Sequence, residues 1–260
     1  MGIAFNIFKQ GRREYNACMQ KIFFSVDGQK LYGTFFKPAN LKAKNPAILF
    51  IHGWSSSEQP YLARVKALAK LGYVCLAFSM RGHGTSEGDI KKQTRQDFLT
   101  DAIAAYDFLV EQKDVDENSI SIVGASFGAY LAALVSQERP VKNLTFRVPA
   151  NYSDENFNDP QFHFSGDNSV TLLHPKFKKL QTEQTYALKA LRNFSGNILI
   201  IESEKDELIP HQVVENYLNS VKNKNKLKHI VMKNVGHNLK DEKTQQEFIK
   251  ILTDWFKDKV

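Results

Sequence analysis

The sequence predicts an α/β protein built on a mostly parallel, doubly wound sheet, and three observations predict it. Short apolar runs alternate with helical patterns over most of the chain, as in Ala47-Ile48-Leu49-Phe50-Ile51 followed by the segment Tyr61 to Leu71. Those runs are apolar throughout rather than at every second position, as strands covered by helices on both faces require. Asp27-Gly28, between Lys21-Ile22-Phe23-Phe24-Ser25 and Leu31-Tyr32-Gly33-Thr34-Phe35-Phe36, is a strong hairpin signal that sets an antiparallel pair at the start.

The elements follow in order. After the hairpin, Pro38 to Pro46 is a polar connector, and Ala47–Ile51 is a strand ending in His52-Gly53-Trp54. A helix from about Tyr61 to Leu71 leads to a strand from Tyr73 to Phe78, then to the glycine-rich loop Arg81-Gly82-His83-Gly84-Thr85-Ser86-Glu87-Gly88. Phe98, Ala102, Ala105, Tyr106 and Leu109 line one face of an amphipathic helix from about Asp97 to Glu111. Ser119–Val123 is a strand, Ala129–Val135 a helix and Leu144–Val148 a weaker strand. The alternation breaks from Pro149 to about Phe194, in a segment rich in Asn, Asp, Phe and Lys. So long a stretch between sheet elements reads as a functional insertion, a small cap at about 149–194 of one domain spanning 1–260. Alternation resumes with strand Asn197–Ile201, helix His211–Val221, strand Leu227–Met232 and helix Glu242–Phe256.

Composition narrows the function classes. The 260 residues carry a net charge of +7, spread along the chain. The densest basic run, Lys222 to Lys228, lacks interleaved aromatics, so a solvated loop is expected there and no nucleic-acid partner. The 2 cysteines, Cys18 and Cys75, make no disulfide framework, and a reducing, cytoplasmic setting is expected. Met1–Phe8 is apolar but brief, with Lys9, Arg12 and Arg13 after it instead of before, which does not fit a signal peptide. Phe5, Ile7 and Phe8 either cover a patch of the domain, are loosely ordered, or touch a membrane surface. No run reaches transmembrane length.

Gly124-Ala125-Ser126-Phe127-Gly128 stands where a predicted strand turns into a predicted helix. So sharp a turn leaves no room for side chains at its flanks and pushes the serine hydroxyl out at the sheet edge. A serine nucleophile needs a base within hydrogen-bond reach, and the base needs an orienting acid. Sites in open parallel sheets form beyond the carboxyl ends of the strands. Among 7 histidines, His237, in Val235-Gly236-His237-Asn238 just after the last strand, meets that rule best. His211 and His229 flank other elements, His163 and His174 fall in the insertion, and His52 and His83 precede the serine in the chain. For the acid, Glu202-Ser203-Glu204-Lys205-Asp206-Glu207 ends the preceding strand. Asp206 is favoured, Glu204 is second, and Asp154 and Asp159 are weaker rivals. The oxyanion formed on attack is expected to find the backbone N–H groups of Phe127 and Trp54, with Gly53 allowing close approach.

Together, His52-Gly53-Trp54, Arg81-Gly82-His83-Gly84-x-Ser86-x-Gly88, the pentapeptide around Ser126, Asp206 and Gly236-His237 resemble the α/β-hydrolase superfamily from about Lys21 onward. The sequence is similar to its serine esterase branch, which includes dienelactone-hydrolase-like and cinnamoyl or feruloyl esterases. The resemblance implies Ser126, His237 and Asp206 as a triad, Trp54 and Phe127 as oxyanion hole, and structural roles for Arg81 and His83. It implies a small-molecule ester as substrate and no metal or organic cofactor. Thioester or amide hydrolysis uses the same machinery, and a non-catalytic binding module is the rival class. Within the insertion, Phe157, Phe162, Phe164 and Phe177 either line the substrate pocket or pack the cap onto the body, and Trp54 either packs or walls the acyl pocket.

Overall fold

The computed structural model describes residues 5–8, 18–160, 179–180 and 184–259. Nine strands form one sheet among these residues: β1 (Phe5–Phe8), β2 (Cys18–Val26), β3 (Gln29–Lys37), β4 (Asn45–Ile51), β5 (Val74–Phe78), β6 (Val115–Ala125), β7 (Asn143–Arg147), β8 (Asn197–Ser203) and β9 (Leu227–Met232). Their spatial order is β1-β2-β3-β5-β4-β6-β7-β8-β9. The first three strands and the β3–β5 pair are antiparallel; every pair from β5 through β9 is parallel. The N-terminal apolar stretch thus supplies an edge strand, β1, registered against Lys21–Phe24.

Helices cover both faces, as the continuously apolar strands require. Along β4, Ala47, Leu49 and Ile51 face one core with α2 (Arg95–Val110) and α3 (Phe127–Glu138). Ile48 and Phe50 face the other, with α1 (Leu62–Ala69) and the C-terminal helix. The period of two in a strand makes this division automatic. Helix α2 starts at a capping box in which the Thr94 hydroxyl accepts the Asp97 N–H and the Asp97 carboxylate accepts the Thr94 N–H, two residues before the expected start. Between β7 and β8, helix α4 (Tyr186–Asn193), capped by Thr185, packs against α3 and α5 (His211–Ser220). The chain closes with α6 (Glu242–Phe256). No helix among the described residues is long and apolar enough to cross a membrane.

Buried polar groups lock the loops that leave β4 and β5. His52 is buried, with Nδ1–H donating to the Gly53 carbonyl at 2.7 Å and Nε2 accepting the Met80 N–H at 3.0 Å. Both nitrogens are spent on the neutral ring, and burial pulls the pKa from 6.5 down to about 3. Arg81 donates from Nε to Asp101 Oδ1 at 2.7 Å while Asp101 Oδ2 accepts the Arg81 backbone N–H at 2.8 Å. Its Nη2 also reaches Asp27 Oδ2 at 3.0 Å, so one guanidinium ties the hairpin turn to α2 and to the loop after β5.

Two predictions follow from these groups. Asp101→Asn leaves a buried guanidinium short of its fully buried partner, at a cost of about 3 kcal/mol measured by urea denaturation. His52 is neutral in the fold but can protonate when unfolded, so its contribution is intact above pH 6.5 and is lost as pH falls toward 3. The loss is roughly 1.4 kcal/mol per pH unit in that window. Melting temperatures of His52→Asn are expected to be lower than wild type at neutral pH and to decline less steeply with acid.

Candidate active site

Ser126 occupies the junction of β6 and α3 with φ 52° and ψ −116°, a backbone conformation costly for a residue with a Cβ. The surroundings enforce it. A Cβ on Gly124 would collide with the Gly128 carbonyl, and one on Gly128 with the Ile51 carbonyl. The helix therefore seats directly on the ends of β6 and β4. Gly53 brings the loop after β4 near as well, less tightly, since a Cβ there would lie 3.4 Å from the Ser126 Cβ. The Ser126 N–H donates to the Arg147 carbonyl at 2.9 Å, and its carbonyl accepts the N–H groups of Ala129 and Ala150. Neither the Phe127 nor the Trp54 N–H has a hydrogen-bond acceptor among the described residues. The Trp54 ring is held edge-on to His83, Phe98 and Phe127, each with centroids 5.5 Å apart.

Two loops at the same end of the sheet supply the titratable groups. Asp206 leaves β8 in a turn whose Leu208 and Ile209 N–H groups donate to Asp206 Oδ1 at 2.8 and 2.7 Å. The carboxylate, thus aimed, accepts His237 Nδ1–H at 2.9 Å on Oδ2 and 3.0 Å on Oδ1. Both side chains are buried. The backbone of His237 is fixed separately: its N–H donates to Glu207 Oε2 at 3.0 Å and its carbonyl accepts Arg147 Nη2 at 2.7 Å.

The other candidates are placed elsewhere. Glu204 pairs with Lys233 at 2.8 Å and accepts the Asn234 N–H, bracing the His237 loop from outside. Glu202 is flanked by His211 Nδ1 at 2.5 Å and His229 Nε2 at 3.0 Å, which occupies all three. Asp154 accepts the Tyr186 N–H. Asp159 lies in a turn closed on Asn156. His83 donates from Nδ1 to the Arg81 carbonyl beneath Trp54. His163, His174, Phe162, Phe164 and Phe177 lie outside the described residues.

Ser126 and His237 line one cavity of about 450 Å³, together with Gly53, Trp54, Tyr61, Arg147, Tyr152, Leu208 and Ile209. Phe157, one of the expected pocket residues, does not line it. Its ring stands edge-on to Tyr186 at 5.5 Å and against the Arg95 guanidinium at 5.5 Å, because Arg95 grips the Ser153 and Glu155 carbonyls and turns that stretch onto α2. Tyr152, packed edge-on to Phe127, is the insertion residue among those described that reaches the cavity.

Several lining residues escape sequence reasoning, Tyr61, Tyr152 and Arg147 among them. Tyr61 and Tyr152 carry no motif. Arg147 did carry a signal, a lone cation at the carboxyl end of an otherwise uncharged strand beside the serine's own. It is 6% exposed, and burial lowers its pKa to about 10.

The described fold is that of the α/β-hydrolases. Solved structures similar to it include acetyl xylan esterase 1 from Thermoanaerobacterium sp. JW/SL YS485, with a TM-score of 0.70 and 17% identity, covering 100% of this chain and 89% of that one. Another is Est1E from Butyrivibrio proteoclasticus with ferulic acid bound, with a TM-score of 0.64 and 20% identity over 91% of this chain and 96% of that one. Among sequences, an uncharacterized protein of Mycobacterium tuberculosis is 26% identical over 82% of this chain and 69% of its own length. The human mitochondrial palmitoyl-protein thioesterase ABHD10 is 31% identical over 48% of this chain and 40% of its own. An acetyl xylan esterase family model, AXE1, matches residues 9–99. The prolyl oligopeptidase family model, Peptidase_S9, matches residues 56–260, from the loop after β4 through Ser126, Asp206 and His237 to the C-terminus, and the chain belongs to that family.

Proposed function

We propose that the protein is a serine hydrolase that cleaves carboxylic esters through an acyl-enzyme, with Ser126 as nucleophile, His237 as base and Asp206 as its orienting acid. The observation that carries this reading is that one cavity is lined by Ser126, on its strained turn, and by His237, whose Nδ1 is committed to Asp206. With Nδ1–H given to the carboxylate, Nε2 is the ring's free basic nitrogen.

The chemistry then balances with protein groups alone. Nε2 takes the Ser126 proton as Oγ bonds to the ester carbonyl carbon and the carbonyl π electrons move onto oxygen. The free N–H groups of Phe127 and Trp54, with the N-terminal dipole of α3, stabilise that oxyanion. The imidazolium, steadied by Asp206, returns its proton to the leaving alcohol oxygen as the C–O bond breaks. Water, deprotonated by Nε2, attacks the acyl-Ser126 ester, and the proton passes back to Oγ as the acid leaves. No metal or organic cofactor enters the scheme.

Thioester cleavage is the second reading, favoured by the 31% identity to a palmitoyl-protein thioesterase. The same atoms serve it, with a better leaving group. A panel of p-nitrophenyl esters of graded chain length beside feruloyl ester and thioester substrates separates the two.

A fluorophosphonate probe is expected to label the wild type and to leave Ser126→Ala unlabelled. A folded but unlabelled wild type would favour a non-catalytic binding module instead. Asp206→Asn is expected to lower kcat about 10⁴-fold with folding retained, as loss of the correct tautomer does in such triads. His237→Ala is expected to abolish turnover, whereas His83→Ala lowers thermal stability first; equal unfolding of both variants would refute those roles.

A further inference from the structure

Arg147 ends β7, one strand beyond the strand that presents Ser126, and lines the cavity while 6% exposed. Every acceptor it has among the described residues is neutral. Nη2 donates to the His237 carbonyl at 2.7 Å, with the Ser203 hydroxyl at 3.3 Å and the Gly236 carbonyl at 3.4 Å. Among the described residues the buried Nε has no acceptor and Nη1 makes no hydrogen bond. Asp206 attracts it electrostatically, but that carboxylate is occupied by His237 and by the Leu208 and Ile209 N–H groups, and it forms no ion pair with Arg147.

A second cation sharpens the imbalance. Arg64, also 6% exposed, lies 5.2 Å from the Phe248 ring, which carries Arg147 at 5.8 Å. Arg64 donates from Nη1 to the Pro60 carbonyl, and its Nε is likewise unsatisfied among the described residues. Among the described residues neither guanidinium has a carboxylate partner, whereas the equally buried Arg81 has three. A buried charge is costly unless an opposite charge and hydrogen bonds answer it. Here Arg147, with no carboxylate partner among the described residues, lines an open cavity.

We propose that the cavity selects esters that carry a carboxylate, and that Arg147 is the specificity-determining residue that binds it through Nη1. This rests on the serine hydrolase reading above and adds a substrate class to it. A guanidinium suits the role because its planar fork matches a carboxylate and stays charged when buried. The competing account is that Arg147 only braces the His237 loop through the carbonyl bond. That account makes no distinction between charged and neutral esters.

The test is a ratio of kcat/KM values within matched pairs, one bearing the carboxylate on the acyl side and one on the alcohol side. The pairs are 4-nitrophenyl hydrogen glutarate against 4-nitrophenyl valerate, and 3-carboxyphenyl acetate against phenyl acetate. Wild type is expected to prefer the anionic member of at least one pair by roughly 10- to 100-fold, the range of a charge-assisted hydrogen bond. Arg147→Met is expected to bring that ratio to about one, and Arg147→Lys to keep part of it. Neutral esters cleaved by wild type with no preference in either pair would overturn the proposal and leave the esterase reading standing. So would an Arg147→Met variant that loses both members of a pair equally. Wild type that cleaves none of the four overturns both. Should Arg147→Met not fold, the wild-type ratios and the Lys variant decide.

Discussion

The contact on which the rest of the site depends is the seating of the α3 N-terminus on the carboxyl end of β4. Gly128 lies against the Ile51 carbonyl and Gly124 against Gly128, with no space for a single carbon atom at either position. That proximity forces the positive φ of Ser126 and leaves the first N–H of the helix without an intrahelical acceptor. It also brings His52-Gly53-Trp54 beside the serine, since those residues continue the strand on which the helix rests. Strain of this kind persists only when the surroundings over-determine it, and here a nine-stranded sheet with a core on each face does so.

Around this junction the acidic run after β8 divides its labour by neighbours rather than by residue type. Glu202, Glu204, Asp206 and Glu207 lie within six positions, yet each meets a different partner. Glu202 is taken by two imidazoles, Glu204 by Lys233 and a backbone N–H, and Glu207 by the N–H of His237. Asp206 alone of the four reaches the His237 ring, because its own turn folds the carboxylate back over the Leu208 and Ile209 N–H groups. The two flanking glutamates hold the backbone on which the imidazole sits.

Much of this was legible in the sequence, for reasons that can be named. Strands buried on both faces are apolar without interruption, so Ala47–Ile51 and Asn197–Ile201 lie within β4 and β8. Asp27-Gly28 demanded a hairpin, and both residues take positive φ. The loops bearing Ser126, Asp206 and His237 converge because parallel strands send their carboxyl ends to one edge. What could not be read was set by tertiary partners. Phe5–Phe8 becomes a strand only because β2 offers an edge to pair with. Of the insertion's aromatic residues, Phe157 and Tyr152 could be sorted only by knowing that Arg95 draws Phe157 outward while Tyr152 lines the cavity. Arg147 lay in a weaker predicted strand, and its burial became visible only once the neighbouring strands closed over it.

Leu208 and Ile209 link two matters that are separate in many sites. Their side chains form part of the cavity wall, while their amide hydrogens lie on the carboxylate behind the imidazole. Wall and carboxylate thus share one four-residue turn, so a substitution that reshapes the chamber at Leu208 or Ile209 also displaces the group that holds the His237 ring in place.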